Sequence, residues 1–127
     1  MSQGRDSAKS LVLVSVICLL CLFVLLKGAN AATYTVGGPS GWSFNTDTWP
    51  NGKRFRAGDI LVFKYDSTSH NVVAVDKSGY STCRSAAGAR VFRSGNDQIK
   101  LAKGQNYFIC NYPGHCESGM KISINAV

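Results

Sequence analysis

Histidine is scarce in this 127-residue chain, which holds only His70 and His115. Proline is nearly as rare, at three residues, and that excludes a proline-rich stalk. The formal net charge is +7, yet the basic residues form no run, which argues against a nucleic-acid arm. Beyond residue 31 there is no Asn-x-Ser/Thr sequon, no Cys-x-x-Cys pair and no second long apolar stretch. The first absence predicts no N-linked glycan, and the second weighs against a structural zinc site. The third predicts no membrane anchor and no lipid-anchor signal. Helical periodicity is missing too, apart from a short turn expected near Ser81 to Ala87.

What is present begins with an address. Arg5 and Lys9 precede a nearly unbroken apolar run from Leu11 to Leu26, followed by Lys27, Gly28 and the small-x-small triplet Ala29-Asn30-Ala31. That is the layout of a secretory signal. The run holds 16 residues, whereas a bilayer-spanning helix needs about 20. An uncleaved signal anchor is the rival reading, and Lys27 keeps it open. Both readings place the rest of the chain outside the cytosol. The expectation is a signal peptide over residues 1–31 and one secreted, extracellular and monomeric domain over 32–127. Removing the signal takes away Arg5, Lys9, Lys27 and Asp6, so the charge falls from +7 to +5. Cys18 and Cys21 leave as well, and Cys83, Cys110 and Cys116 remain. A domain of this size can fold on a single core, with a covalent staple as useful support.

The remaining chain reads as β throughout. Thr33 to Val36 alternates, and Ile60 to Tyr65 and Val72 to Val75 are β-branched or aromatic runs. Val91-Phe92, Ile99 to Leu101, Tyr107 to Ile109 and Lys121 to Ile124 follow. Glycine-rich and Asn- or Asp-bearing turn segments separate them, such as Gly37 to Gly41, Pro50 to Lys53 and Ser94 to Asp97. Short strands at near-regular spacing predict an all-β sandwich or barrel.

Chemistry concentrates near the end. Cys110, His115 and Met120 recur at five-residue steps between two of these strands, so one loop can bring a thiol, an imidazole and a thioether to a single point. His70 stands where another strand begins. Each residue alone is unremarkable, because a lone Met is usually core filler and a lone Cys is often just buried. Together they form a soft, mixed donor set. Two imidazoles and a thiolate with a weak axial thioether are the ligands of blue-copper electron-transfer sites, and Met is a poor ligand for zinc.

Three cysteines leave one pair and one thiol with another task. Cys116 follows His115 directly, and if His115 faces a metal its neighbour tends to point elsewhere. That favours a Cys83–Cys116 bridge with Cys110 as thiolate. The pairing of Cys83 with Cys110, which would make Cys116 the ligand, stays open at this level. Asn71, beside His70, is expected to support the site in two ways. Its backbone N–H would donate to the Cys110 sulfur, and its side chain would tie the two ligand loops together. Trp42 and Trp49 read as packing residues. Gly114 leaves the edge of His115 open, and Gly119 relieves crowding beside Met120.

Residues 32 to 127 resemble the phytocyanins, a subfamily of the cupredoxins. The resemblance is carried by Phe55-Arg56-Ala57-Gly58-Asp59, His70-Asn71-Val72-Val73, Tyr107-Phe108-Ile109-Cys110 and Pro113-Gly114-His115-Cys116. Met120 stands where the stellacyanin branch carries Gln, and this fits the plantacyanin branch. The resemblance implies a Greek-key β-sandwich or barrel of about seven to eight strands, one type 1 copper ion held by His70, Cys110, His115 and Met120, and a Cys83–Cys116 disulfide. It implies one-electron transfer and not enzymatic turnover. Related proteins also have roles in plant development and reproduction, which keeps a signalling or matrix-interaction role as the alternative. A copper-dependent oxidase is the weakest reading, since no vacant ligand position is implied. The expected partners are an unknown redox partner, either an acidic protein or an acidic cell-wall polymer, and not nucleic acid.

Overall fold

The computed structural model describes residues 10–20 and 30–127. The chain divides into two compact units, Met1–Asn30 and Ala31–Val127. Residues 10–20 are helical with exposed apolar side chains. Among the described residues no helix is long and apolar enough to cross a membrane. Arg5, Lys9, Lys27 and Ala29 of the expected signal lie outside the described residues.

The second unit holds seven strands: β1 (Thr33–Thr35), β2 (Ile60–Lys64), β3 (Val72–Val75), β4 (Val91–Phe92), β5 (Asn96–Lys100), β6 (Gly104–Ile109) and β7 (Lys121–Ala126). They form a three-stranded sheet in the order β1-β2-β5 and a four-stranded sheet in the order β4-β3-β6-β7. Strand β1 runs parallel to β2, and every other ladder is antiparallel. The expected all-β sandwich is the observed architecture.

Period-two alternation explains the packing. Leu61 and Phe63 of β2 point into the same core as Val72 of β3, Phe108 of β6, and Ile122, Ile124 and Ala126 of β7. Phe63 meets Trp42 and Phe108 edge-to-face, with ring centres 5.1 and 5.4 Å apart. The intervening residues Val73 and Ile109 turn to the other face of the four-stranded sheet and pack with Cys116. That face is therefore covered as well, which is why β3 reads as a continuous apolar run.

The short helix forms over Lys77–Thr82 and not over Ser81 to Ala87 as the sequence suggested. Asp76 starts it, because its carboxylate accepts a hydrogen bond from the Gly79 N–H at 2.7 Å. Cys83 ends it in a left-handed conformation, φ 56°. Gly79 lets the helix lie close on the sheet, since a Cβ there would sit 2.8 Å from Val75 Cβ and 2.7 Å from the Arg84 carbonyl oxygen. Strands β5 and β6 also start earlier than expected, at Asn96 and Gly104. Asn96 to Gln98 pair with Lys64 to Val62, and Gly104 to Asn106 pair with Ala126 to Ile124. Asn96, Gln98 and Gln105 face solvent, so polar side chains cost these ladders little.

Tyr65 links the two sheets. Its hydroxyl bonds the buried Asp97 carboxylate of β5 and lies 3.1 Å from the Phe92 carbonyl oxygen of β4. Burial, together with the hydrogen bond to Asp97, pushes the Tyr65 phenol up to about 12 from its usual 10.0. The folded state thus holds this proton more tightly than the unfolded chain. Stability from this group is complete below pH 10 and is lost as pH rises from 10 toward 12. Urea titrations across that window are expected to show a falling midpoint in the parent protein and a flatter profile in Tyr65→Phe.

The β6–β7 loop (110–120), the β2–β3 loop (65–71) and the segment around Trp42 to Thr46 meet at one end of the sandwich. The hydrogen bonds of the next subsection hold them there.

Candidate metal centre

The β2–β3 loop presents His70 through a local turn. Asp66 Oδ1 accepts from the Thr68 N–H at 2.9 Å and from the Thr68 hydroxyl at 2.6 Å. The Asp66 carbonyl accepts the N–H groups of Ser69 and His70 at 3.0 and 3.1 Å. The bonds from Thr68 hold the Asp66 carboxyl below its ordinary pKa, so it stays ionised as a turn former.

Asn71 is buried and joins the two loops. Its Oδ1 accepts from the Asn111 N–H at 3.0 Å, and its Nδ2 donates to Asn111 Oδ1 at 2.6 Å. Its carbonyl accepts the Trp42 indole N–H at 2.9 Å inside the core. Trp42 is therefore a packing residue that also pins this loop. The donation from the Asn71 N–H to the Cys110 sulfur, suggested by the sequence, is not among the hydrogen bonds formed by the described residues. The sulfur instead approaches His115 Nδ1. Replacing Asn71 by Ala removes both bonds to the exposed Asn111, and at about 0.5–1.5 kcal/mol for each the expected cost is about 1–3 kcal/mol in chemical denaturation. Copper retention should weaken in the same variant, because His70 and Cys110 lose their common tether.

Cys110 directly follows β6 and has no solvent exposure. Its N–H donates to the Met120 carbonyl at 3.0 Å, and the Met120 N–H donates to the His115 carbonyl at 3.1 Å. Between them the loop is a chain of tight turns: His115 N–H to Tyr112 C=O at 3.1 Å, and Gly119 N–H to Cys116 C=O at 2.9 Å. Met120 is fully buried in the same apolar cluster as Cys110. Gly119 has φ +85°, and a Cβ there would lie 3.0 Å from Asn45 Cα. Its smallness thus makes room for the Asn45–Thr46 backbone, whose N–H groups bond the carbonyls of Ser118 and Gly119.

Three donor atoms converge. His70 Nδ1 lies 3.1 Å from His115 Nδ1, and Cys110 Sγ lies 3.5 Å from His115 Nδ1. One ligand atom from each residue falls within 4.8 Å of the others. Burial, and then the neighbouring His115, press the His70 imidazole below its ordinary pKa, with Asp66 opposing. A proton on one Nδ1 makes this contact an N–H···N hydrogen bond, and once that proton is lost the same lone pairs are placed to share a cation. Two imidazoles and one thiol with a buried thioether in the adjoining core are a donor chemistry that fits copper.

The remaining cysteines are joined: Cys83 and Cys116 form a disulfide, with Cα atoms 5.6 Å apart. This settles the pairing, and among the described residues Cys110 is the buried free thiol. Phe44 was not singled out from the sequence. It is 44% exposed, and its ring lies edge-on to both histidines, with centroids 5.6 Å from His70 and 4.9 Å from His115. Tyr112 flanks the same ring of His115 at 5.6 Å. An exposed Phe between a turn and an Asn carries no local signal. Only the bonds from Asn45 and Thr46 to the ligand loop bring it here. Trp49 packs on Phe55, as expected of a packing residue.

A two-sheet β-sandwich with His, Cys and His gathered at one end defines a cupredoxin. A plastocyanin-like domain model matches residues 42–120. A basic blue protein of Arabidopsis thaliana is 52% identical over 130 residues, covering 100% of both chains. Among solved structures, the cucumber basic protein, a blue copper protein, is 66% identical with a TM-score of 0.75, covering 76% of this chain and 100% of that one. Spinach plantacyanin is 56% identical with a TM-score of 0.67 over the same shares. The chain belongs to the phytocyanins, in their plantacyanin (basic blue protein) branch. It is a copper-binding electron-transfer protein with one type 1 copper ion.

Proposed function

We propose that the chain is a secreted one-electron carrier whose copper is held by His70, Cys110, His115 and Met120, with Asn71 tying their loops together. The single observation that carries this reading is the meeting of His70 Nδ1, His115 Nδ1 and Cys110 Sγ at one end of a rigid sandwich. Bound copper supplies a reversible Cu(II)/Cu(I) couple. The thiolate and thioether suit the reduced ion, and the imidazoles serve both valences. The backbone bonds among Cys110, His115 and Met120 hold these donors in one arrangement, which keeps rearrangement between valences small. Cys110 and Met120 are sealed from water, whereas His115 is partly exposed. Gly114, with open space around the position of a Cβ, leaves the edge of His115 uncovered. Electrons pass at that edge, and a redox partner docks on the surface that Phe44 and His115 share. The basic, apolar and small-residue segments before Ala32 support secretion to the extracellular space.

The test is to load the protein with cupric salt, record its absorption, and mix it in stopped flow with small oxidants and reductants. The expected result is an intense visible band that bleaches and returns within one electron equivalent. A pale product, sluggish exchange, or repeated consumption of dioxygen would each overturn the carrier reading. N-terminal sequencing of the protein from the medium tests the cleavage, with Ala32 expected first.

A further inference from the structure

Charge is unevenly divided between the two ends of the sandwich. The metal end lies where β6 finishes and β7 begins. About 20 Å away along the same strands, Gly104 pairs with Ala126, and Phe55 bridges to Ala126. Five exposed cations gather at this far end: Lys53, Arg54, Arg56, Lys100 and Lys103. Their proximity follows from the backbone. The Ala57 N–H bonds the Val127 carbonyl, the Gly58 N–H bonds the Leu101 carbonyl, and the Lys100 side chain passes 3.8 Å from a Cβ placed on Gly58.

One carboxylate side chain belongs to this end, Asp59, and it does not neutralise the cluster. It is buried, and its two oxygens accept the N–H groups of Ala32 and Arg56, both at 2.9 Å. Exposed acids collect at the other end. Asp66 forms the turn before His70, Glu117 lies in the ligand loop, and Asp47 faces Gly119. Lys64 and Arg93 stand at that end too and nearly balance these acids, so most of the excess positive charge sits away from the metal.

Beside the cations runs a groove of about 330 Å³ between the 50–55 segment and the edge of β7. Lys53 and Arg54 line one wall, and the polar side chains of Asn51, Ser123 and Asn125 line it as well. Trp49 stands next to one of these lining residues, with Lys53 Nζ 5.4 Å from its ring centre. Cations for carboxylates, amides and a hydroxyl for hydroxyl groups, and an aromatic edge form a combination suited to an acidic sugar chain.

We infer that the end opposite the metal is a binding site for a linear carboxylated polysaccharide. Docked there, the polymer leaves the Phe44–His115 surface free, so the protein is held on an anionic matrix while it exchanges electrons. The inference does not depend on which residues hold copper, because the site contains none of them.

The probe is polygalacturonate, tested against the copper-loaded protein over a range of salt, with polyglutamate as an acidic peptide of similar charge density. Binding to polygalacturonate should be tighter and should weaken as salt rises. A K53Q/R54Q/R56Q variant is expected to lose about tenfold or more in affinity, and a K64Q/R84Q/R93Q variant of equal net charge less than about twofold. Asn125→Ala should weaken polygalacturonate binding and leave polyglutamate binding unchanged. Electron exchange with small reagents should be the same with and without polymer. Equal losses in the two triple variants would mean that net charge alone acts. Polyglutamate binding as tight as polygalacturonate would assign the site to acidic protein. Either result, or no polymer binding by the parent, overturns the proposal.

Discussion

Cys110→Ser is expected to abolish the intense visible absorption of the copper-loaded protein while leaving the sandwich folded. The band requires a thiolate, since a serine hydroxyl is hard, stays protonated and gives no low-energy charge transfer to Cu(II). The fold should survive because the exchange barely alters volume at a site with no solvent exposure. The new hydroxyl also has a partner near, because His115 Nδ1 lies 3.5 Å from the present sulfur. The stability cost is then at most about 1–3 kcal/mol, that of an imperfectly bonded buried polar group. Far-UV circular dichroism and absorption measured on one sample separate the two effects. Cys116→Ser is the control. Its sulfur is committed to Cys83 and lies outside the donor cluster, so that variant should stay coloured. If the colours are reversed, the ligand assignment is wrong even though the family is right.

Much of this arrangement was legible in the sequence because its causes are local. The continuous apolar run of Val72 to Val75 and the period-two alternation of Lys121 to Ile124 report the sheet directly. The five-residue steps from Cys110 to Met120 place three donors on one loop between two such runs. What escaped was decided over distance. Asn96 and Gly104 look like turn residues, and only pairing with β2 and β7 makes them strand. The helix went to Lys77–Thr82 because one carboxylate, Asp76, caps it, a signal outweighed by the turn-like Lys77-Ser78-Gly79. Gly119 also accommodates Asn45, some seventy residues earlier in the chain, a contact with no local signal. Phe44 shares that property, and so does Asn111, the partner through which Asn71 makes the expected tie between the ligand loops.

Removing the disulfide should weaken the whole domain, and the metal site should respond to the loosening. In Cys83→Ala/Cys116→Ala, 33 residues of sequence separation are no longer cross-linked in the unfolded chain. The chain-entropy model gives a loss of about 3–4 kcal/mol for a loop of that length. A domain near 100 residues loses roughly 4–8 °C of melting temperature per kcal/mol, so a fall of about 12–30 °C is expected in calorimetry of the metal-free protein. The bridge also has a local task. Cys116 packs with Val73 and Ile109 under the sheet, and Cys83 sits at the end of the helix that lies there. It therefore fastens the residue after His115 to the far side of β3 and β6. Without that fastening, the visible band should persist, because all four proposed ligands are intact, but copper should leave faster on chelator challenge. A variant that melts much lower yet releases copper at the parent rate would show that the bridge stabilises the fold without steadying His115. A variant with an unchanged melting temperature would mean that the unfolded chain is already compact enough for the cross-link to add little.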